Sequence, residues 1–182
     1  MAKKGLLMFL MILPIFMFAQ NEGGKKQTKY EMFVSRSGCI KKFVEEKKEN
    51  CEISFNSYLK GRIRTVYGEA ENTYFFILEK EKIGGSIAYI EFSDLVEINK
   101  AIKKLSSEVK EDCELKPEYL ENFFTSVDGF KIGYYVEKSK ATWLIRLEFR
   151  GPSYEVKNIE DITNYLSNAQ KILEGLKVSN GK

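Results

Sequence analysis

One pattern occurs twice after residue 60: three short runs with the alternation of β-strands, followed by a segment with the periodicity of an amphipathic helix. Strand runs that lead into helices favour an α+β fold. We therefore predict an antiparallel sheet built from two β-β-β-α units, with two helices packed on one face. The candidate strands lie near 61–67, 73–80 and 86–92 in the first copy (61–112) and near 122–127, 130–137 and 141–149 in the second (122–177).

The two candidate helices, from Asp94 to about Asp112 and from about Ile159 to Lys177, each have a start signal and one apolar stripe. Asp94 with Glu97 is typical of a capping box, and Asn158 can cap the second helix. Such stripes usually cover a sheet. They consist of Leu95, Ile98, Ile102, Leu105 and Val109 in the first helix and of Ile159, Ile162, Leu166, Ala169, Ile172 or Leu173, and Leu176 in the second.

The second copy contains a hairpin signal. Asp128-Gly129 stands between two alternating runs, which predicts a two-residue turn. That turn would place Val127 opposite Phe130, and it sets the pairing of the two strands. The expected pairs beyond it are Thr125 with Ile132 and Phe123 with Tyr134. In the next strand Trp143, Ile145, Leu147 and Phe149 alternate with Thr142, Leu144, Arg146 and Glu148. We expect the first set, with Trp143 largely buried, in the core and the second set on a wetter face.

This uncovered sheet face is the candidate binding surface. Tyr135, Leu144 and Arg146 give it aromatic, apolar and cationic groups, which suit weak binding of sugars or anions. The sequence therefore favours a non-enzymatic protein that binds a ligand or protein partner through this face.

A carboxylate-dependent hydrolase acting on envelope glycans is the alternative function. Such an enzyme needs two carboxylates about 5–10 Å apart, and Glu137 and Glu148 are the candidates. Glu148 and Lys131 can equally form an ordinary cross-strand charge pair. Nearby lysines and Arg146 would also lower the carboxyl pKa, the wrong direction for a general acid at neutral pH.

Five consecutive apolar residues, Tyr74–Leu78, predict a strand with two apolar faces. A central strand covered on both sides explains them, and so does a face buried against a second subunit or a ligand. The segments 30–36 and 51–58 could add two further strands.

The first residues predict export. Lys3 and Lys4 precede the 14-residue apolar run 5–18, which has the length of a signal sequence and is too short to span a membrane. We predict a signal peptide over 1–19, a flexible lead-in over 20–29 and a single α+β domain over 30–182. The protein would then be periplasmic or secreted, with no stable membrane span after cleavage.

The composition excludes several chemistries. The chain contains no His, so it has no Ser-His-Asp triad, no Cys-His pair and no His-based zinc or haem site. A Walker loop and a Gly-x-Gly-x-x-Gly motif are also missing. We therefore expect no cofactor, no metal site and no catalytic residue.

Three cysteines allow at most one disulfide within the chain, in three pairings. Cys39 and Cys51 are the closest in sequence and flank a charged segment, 45–50, that could turn. A Cys39–Cys51 disulfide is the preferred pairing.

Charge is uneven along the chain. Residues 25–64 hold 11 Lys and Arg against 5 Asp and Glu, whereas residues 65–182 hold 16 against 20. The basic segment could form a surface that binds an acidic partner. We favour the other interpretation, in which its lysines keep a strand edge soluble. No nucleic-acid motif is present. An unknown glycan, an anion or an envelope protein is the expected partner, and a homodimer is an open alternative.

Overall fold

Two four-stranded antiparallel sheets, each followed along the chain by a long helix, form the body of the protein. The structure is a computed structural model and describes residues 27–54, 57–80 and 85–180. The predicted signal peptide lies outside the described residues. In chain order the elements are α1 (Lys29–Ser35), β1 (Lys41–Ser54), β2 (Ser57–Gly68), β3 (Asn72–Glu79), β4 (Ile87–Glu91), α2 (Phe92–Glu114), β5 (Leu120–Thr125), β6 (Lys131–Glu137), β7 (Lys140–Arg146), β8 (Ser153–Val156) and α3 (Ile159–Asn180).

The predicted α+β class is confirmed, although each unit has four strands instead of three. The first sheet has the order β1-β2-β3-β4 and the second the order β5-β6-β7-β8. Their edges meet where the Lys157 N–H, just after β8, donates to the Ile53 carbonyl of β1 at 2.8 Å. β8 was not predicted, and only the end of β1 falls within the predicted strand 51–58, whose residues 57–58 belong to β2. Both β1 and β8 give weak sequence signals. β8 has only four residues, and β1 is largely exposed and rich in charge.

Both long helices pack on one face of the sheets and share one core with them. The predicted stripes supply this core, with Leu95, Ile98 and Ile102 from α2 and Leu166 and Leu173 from α3 fully buried. The two helices also touch each other. The Asn99 side-chain amide donates to the Leu166 carbonyl at 3.3 Å and to the Gln170 side-chain oxygen at 2.7 Å.

β3 lies between β2 and β4, and its apolar run Tyr74–Leu78 is buried on both faces, as predicted for a central strand covered on both sides. On the side away from the long helices, α1 packs against it through Phe33 and Tyr30. Residues 30–36 were expected as a strand, and that expectation is wrong. Thr28 and Glu31 form a capping box, and this local hydrogen bonding starts a helix where the side chains alone favour a strand.

The start of α2 also differs from the prediction. The helix begins at Phe92, and the Glu91 carboxylate caps it by accepting from the Ser93 N–H at 2.9 Å. Asp94 was expected to cap the helix, but it lies inside the first turn. There it is buried and accepts from the Lys29 ammonium at 2.6 Å. The Asn158 cap of α3 is confirmed, because its side-chain oxygen accepts from the Glu160 N–H at 3.1 Å.

The hairpin between β5 and β6 is shifted by one residue from the predicted register. The Ser126 N–H donates to the Phe130 carbonyl, and the Phe130 N–H donates back to the Ser126 hydroxyl. The loop therefore has three residues and ends at Gly129, with φ of +91°. Phe123 pairs with Gly133, where the prediction had Tyr134. Because side chains alternate, the shift moves Phe123 out of the core and Phe124 into it.

Trp143 was expected to be largely buried against a helix, and it is half-buried instead. Its ring meets Tyr134 edge to face, with centroids 4.9 Å apart, and it contacts the cluster that includes Leu105 of α2. Ile145 and Leu147, on the same face, are fully buried as predicted, whereas Phe149 is exposed.

All three cysteines are free thiols, so the structure does not support the predicted Cys39–Cys51 disulfide. Residues 45–50 do not turn but continue β1. About 30 Å of extended strand then separates Cys51 from the residues that follow Cys39, whereas a disulfide needs Cα atoms within about 7 Å. Burial raises the pKa of the Cys51 thiol to about 11, which keeps it protonated at neutral pH.

Candidate binding face

The outer face of each sheet is the side away from α2 and α3. On the first sheet α1 packs on this face, but in the described part of the chain no helix packs on the outer face of the second sheet. Its members follow from the strand pairing, since opposite residues of antiparallel strands share a face. They are Glu121, Phe123 and Thr125 of β5, Lys131, Gly133 and Tyr135 of β6, Thr142, Leu144 and Arg146 of β7, and Ser153 and Glu155 of β8.

A hollow of about 210 Å³ lies on this face, toward the end at which Lys131 pairs with Arg146. Gly133 stands between Phe123 and Leu144, two residues that line the hollow, in one cross-strand row. A Cβ at Gly133 would come within 2.6 Å of the Phe123 ring, so the ring lies against the bare glycine backbone. The hollow is lined by Glu121, Phe123, Lys131, Leu144, Ile145, Arg146 and Ser153.

Two cations border the hollow from directly opposite positions, Lys131 on β6 and Arg146 on β7. The Lys131 ammonium lies 3.7 Å from the centroid of the Phe123 ring, a cation–π contact. The Arg146 guanidinium donates to the Ser153 hydroxyl from Nε at 3.3 Å and from Nη2 at 3.2 Å. Within the described residues neither cation has a carboxylate oxygen within 4 Å. Like charges in opposite positions repel, so this end of the face favours an added anion.

The outer face of the first sheet shows how the same fold neutralises such a pair. There the Arg62 guanidinium contacts Glu79 at 3.0 Å and Glu45 at 3.4 Å, and Arg64 contacts Glu45 and donates to the Tyr30 hydroxyl at 2.7 Å. The hydrogen bond from Arg64 holds the pKa of the Glu45 carboxyl below its usual value. The arginines of the first sheet are therefore compensated within the chain, unlike Lys131 and Arg146.

The structure separates the three residues proposed from sequence. Leu144 and Arg146 line the hollow, but Tyr135 does not. Tyr135 pairs with Thr142, four positions along β7 from Arg146, or about 13 Å along the strand. Its ring stacks on Tyr119, with centroids 6.0 Å apart. A small ligand held by Arg146 would therefore not reach Tyr135.

Sequence reasoning missed Phe123 and Lys131. Phe123 was placed in the core by the two-residue turn, and only a three-residue loop with Gly129 as its last residue brings it to the outer face. Lys131 was given Glu148 as a partner, but it lies opposite Arg146.

The candidate carboxylates of a hydrolase do not come together. Glu137 pairs with Lys140 at one end of β7, and Glu148 follows the other end of that strand. The length of β7 separates them, about 20 Å, whereas a glycosidase needs about 5–10 Å. In the described residues no group of three or more His, Cys, Asp or Glu is arranged to hold a metal ion.

None of the described helices is both long and apolar enough to cross a membrane. No protein-family model matches the chain, and neither a curated protein nor a solved structure matches it.

Proposed function

We propose that this protein is an exported, non-enzymatic envelope protein that binds an anionic group of a ligand or partner in the hollow of the second sheet. The observation that carries the proposal is the opposed pair Lys131 and Arg146, which has no carboxylate partner in the described chain. Arg146 offers a planar fork of donors for a carboxylate or phosphate, and Lys131 adds a second positive charge. Ser153 can also donate to the anion.

The size of the hollow limits what it can hold. Sites for whole small molecules are usually about 300–1,000 Å³, larger than the 210 Å³ found here. One anionic group, such as a carboxylate, sulfate or phosphate, fits better, with the rest of the ligand lying across the face. Phe123 and Leu144 would contact its apolar part. Acidic glycans and acidic protein segments both carry such groups.

Binding can be tested by NMR titration of the exported, processed protein with inorganic phosphate and with glucuronate, using glucose as the uncharged control. We expect chemical shift changes centred on Lys131, Gly133 and Arg146, and weaker binding as salt screens the charges. The double change Lys131→Ala and Arg146→Ala should weaken binding about tenfold or more, the loss of one or two charge-assisted hydrogen bonds. The double change Lys100→Ala and Lys103→Ala, on exposed positions of α2, removes the same charge and should leave binding unchanged. Equal affinity in all three proteins would refute the site.

Export can be tested by mass spectrometry of the N-terminus of protein taken from the native cell. The basic residues Lys3 and Lys4, the short apolar run and Ala19 support cleavage near residue 20. We expect a mature chain that begins at or near Gln20, recovered from the periplasm or the medium. Membrane-bound protein that retains Met1 would contradict the proposal.

A further inference from the structure

The free edge of β5 is unprotected. β5 pairs only with β6, so along its other side it presents backbone groups that have no strand partner among the described residues. Natural edge strands are usually protected by lysines, prolines or bulges. The sequence of β5, Leu120–Thr125, contains neither Lys nor Pro, and its pairing with β6 has no bulge.

The other edge strands carry such protection. β1 contains four lysines and a register shift between Glu45 and Lys47. β8 adjoins β1 through the Lys157–Ile53 hydrogen bond, and β4 is only five residues long and contacts α1. β5 is thus the edge of this fold that is best suited to pairing with another strand.

We propose that β5 pairs with β5 of a second copy of this chain and forms a homodimer with one continuous eight-stranded sheet. The pairing is antiparallel about a two-fold axis perpendicular to the sheet, and it supplies about six backbone hydrogen bonds. Such an axis keeps both outer faces on the same side. Outer residues must then lie opposite outer residues, which restricts the register.

The register that centres on Phe123 fits the side chains. It places Phe123 opposite Phe123 of the second copy, and cross-strand aromatic pairs are favourable. The rows of Leu144, Gly133 and Phe123 from the two copies then join into one apolar strip across the interface.

Charge complementarity supports the same register. Glu121 lies opposite Thr125 of the second copy, and Thr125 pairs with Lys131 on β6. The Glu121 carboxylate of one copy therefore approaches the Lys131 ammonium of the other, a cation that lacks a carboxylate partner within its own described chain. The two-fold axis forms this contact twice. Arg146 and Ser153 remain available to an anion in each hollow, and the two hollows lie on one side of the dimer, where they can bind a bivalent ligand.

The helices behind the edge do not oppose this pairing. α2 packs behind β5, so the axis also brings the two α2 helices toward each other. Three of the four exposed lysines of α2 are paired within the helix, Lys100 with Glu97, Lys104 with Glu108 and Lys110 with Glu114. Their mutual repulsion is thereby reduced.

Sedimentation equilibrium of the processed protein, at concentrations up to about 100 μM, tests the dimer. We expect a mass twice that of the chain. Phe123→Lys should give a monomer, because it places two lysines opposite each other at the axis. Phe149→Lys changes an exposed Phe that lies outside β5, and this variant should remain dimeric. A monomeric parent protein would overturn the inference, and retained phosphate binding by that monomer would leave the proposed function intact.

Cysteine cross-linking tests the register in a protein that also carries Cys39→Ser and Cys113→Ser. The double change Glu121→Cys and Thr125→Cys places each new thiol opposite its counterpart, so oxidation should give a covalent dimer on non-reducing gels. Each single change is the control, because identical positions then lie about 13 Å apart along the strands, too far for a disulfide. Cross-linking of a single variant to the same extent as the double variant would overturn this register. Circular dichroism confirms that each variant is folded.

Discussion

Gly61→Ala should lower the free energy of unfolding by about 2 kcal/mol, a large effect for the addition of one methyl group. Gly61 lies on the core face of β2, directly under α3. A Cβ there would come within 2.0 Å of the Tyr165 hydroxyl and 2.9 Å of the Phe76 ring. Neither ring can easily retreat, because the two pack edge to face, with centroids 5.5 Å apart. The Tyr165 hydroxyl also donates to the Glu49 carbonyl at 2.8 Å, and burial raises its pKa.

The expected loss of stability in Gly61→Ala is the difference between a steric cost and an entropic gain. Overpacking a close-packed core costs about 1–3 kcal/mol or more. Replacing Gly by Ala returns about 0.4–1 kcal/mol through the entropy of the unfolded chain. Because the nearest contact is about an ångström shorter than real Cβ contacts, the steric term should dominate.

Two variants make the measurement specific. Gly175→Ala adds the same methyl group within α3, where no atom lies within 4 Å of the added Cβ, and it should stabilise the protein by about 0.5–1 kcal/mol. Tyr165→Phe removes the nearest atom, so in its background Gly61→Ala should cost less than it does alone. Urea denaturation of the parent, the three single variants and the Gly61→Ala, Tyr165→Phe double variant gives these free energies of unfolding. A Gly61→Ala protein as stable as the parent would show that α3 does not pack on β2 as described.

The long helices could be predicted from sequence because their signals are redundant. A stripe such as Leu95, Ile98 and Ile102 repeats over several turns, and an error of one or two residues at a helix end leaves the buried face unchanged. Asp94 illustrates this. The cap was assigned to the wrong residue, yet the stripe of α2 was correct.

The candidate site could be predicted only in part, because its composition depends on a single residue of register. Arg146 and Leu144 come from a strand whose alternation is clear. Phe123 depends on the length of the loop at Gly129, and a slip of one residue moves it between the core and the outer face. Hydrogen bonds between Ser126 and Phe130 set the length of this loop. Ser occurs in many kinds of turn, so its presence does not indicate the loop length.

Most of β1 was not predicted, and α1 was predicted as a strand, because the local sequences do not show what neighbouring elements provide. β1 is stabilised by pairing with β2 along its whole length, and an edge strand rich in Lys and Glu has no apolar alternation to detect. In α1 the aromatic residues favour a strand, whereas the Thr28–Glu31 capping box and the docking of Phe33 favour a helix. Tertiary contacts decide whether such a segment forms a helix or a strand.

Lys29→Met should lower the free energy of unfolding by about 2–3 kcal/mol, because it leaves the buried Asp94 carboxylate without its cation. The Lys29 ammonium lies 2.6 Å from Asp94 Oδ1 and 3.8 Å from Glu91 Oε2. Burial lowers the pKa of Lys29, but the hydrogen bond and the charge of Asp94 outweigh burial and raise the pKa above its ordinary value. Lys29 therefore remains charged, and stabilises the fold, throughout the neutral range. The second oxygen, Asp94 Oδ2, is buried and has no hydrogen-bond partner among the described residues, so the carboxylate depends on Lys29.

The pH dependence of this loss distinguishes an unpaired charge from lost packing. In Lys29→Met the buried Asp94 carboxylate has lost its cation, so the free-energy cost comes from an unpaired buried charge. The destabilisation should thus be largest near neutral pH, where carboxylates are ionised, and should be mostly lost by about pH 4, where carboxyl groups become protonated. Adding Asp94→Asn should recover most of the loss at pH 7, since it removes the unpaired charge and keeps the shape. Guanidinium denaturation of the parent, the single variant and the double variant, at pH 7 and at about pH 4, provides the comparison. A loss that is the same at both pH values and is not rescued by Asp94→Asn would mean that Lys29 contributes through packing alone. A loss below about 0.5 kcal/mol would mean that α1 is not anchored to the start of α2 by this ion pair.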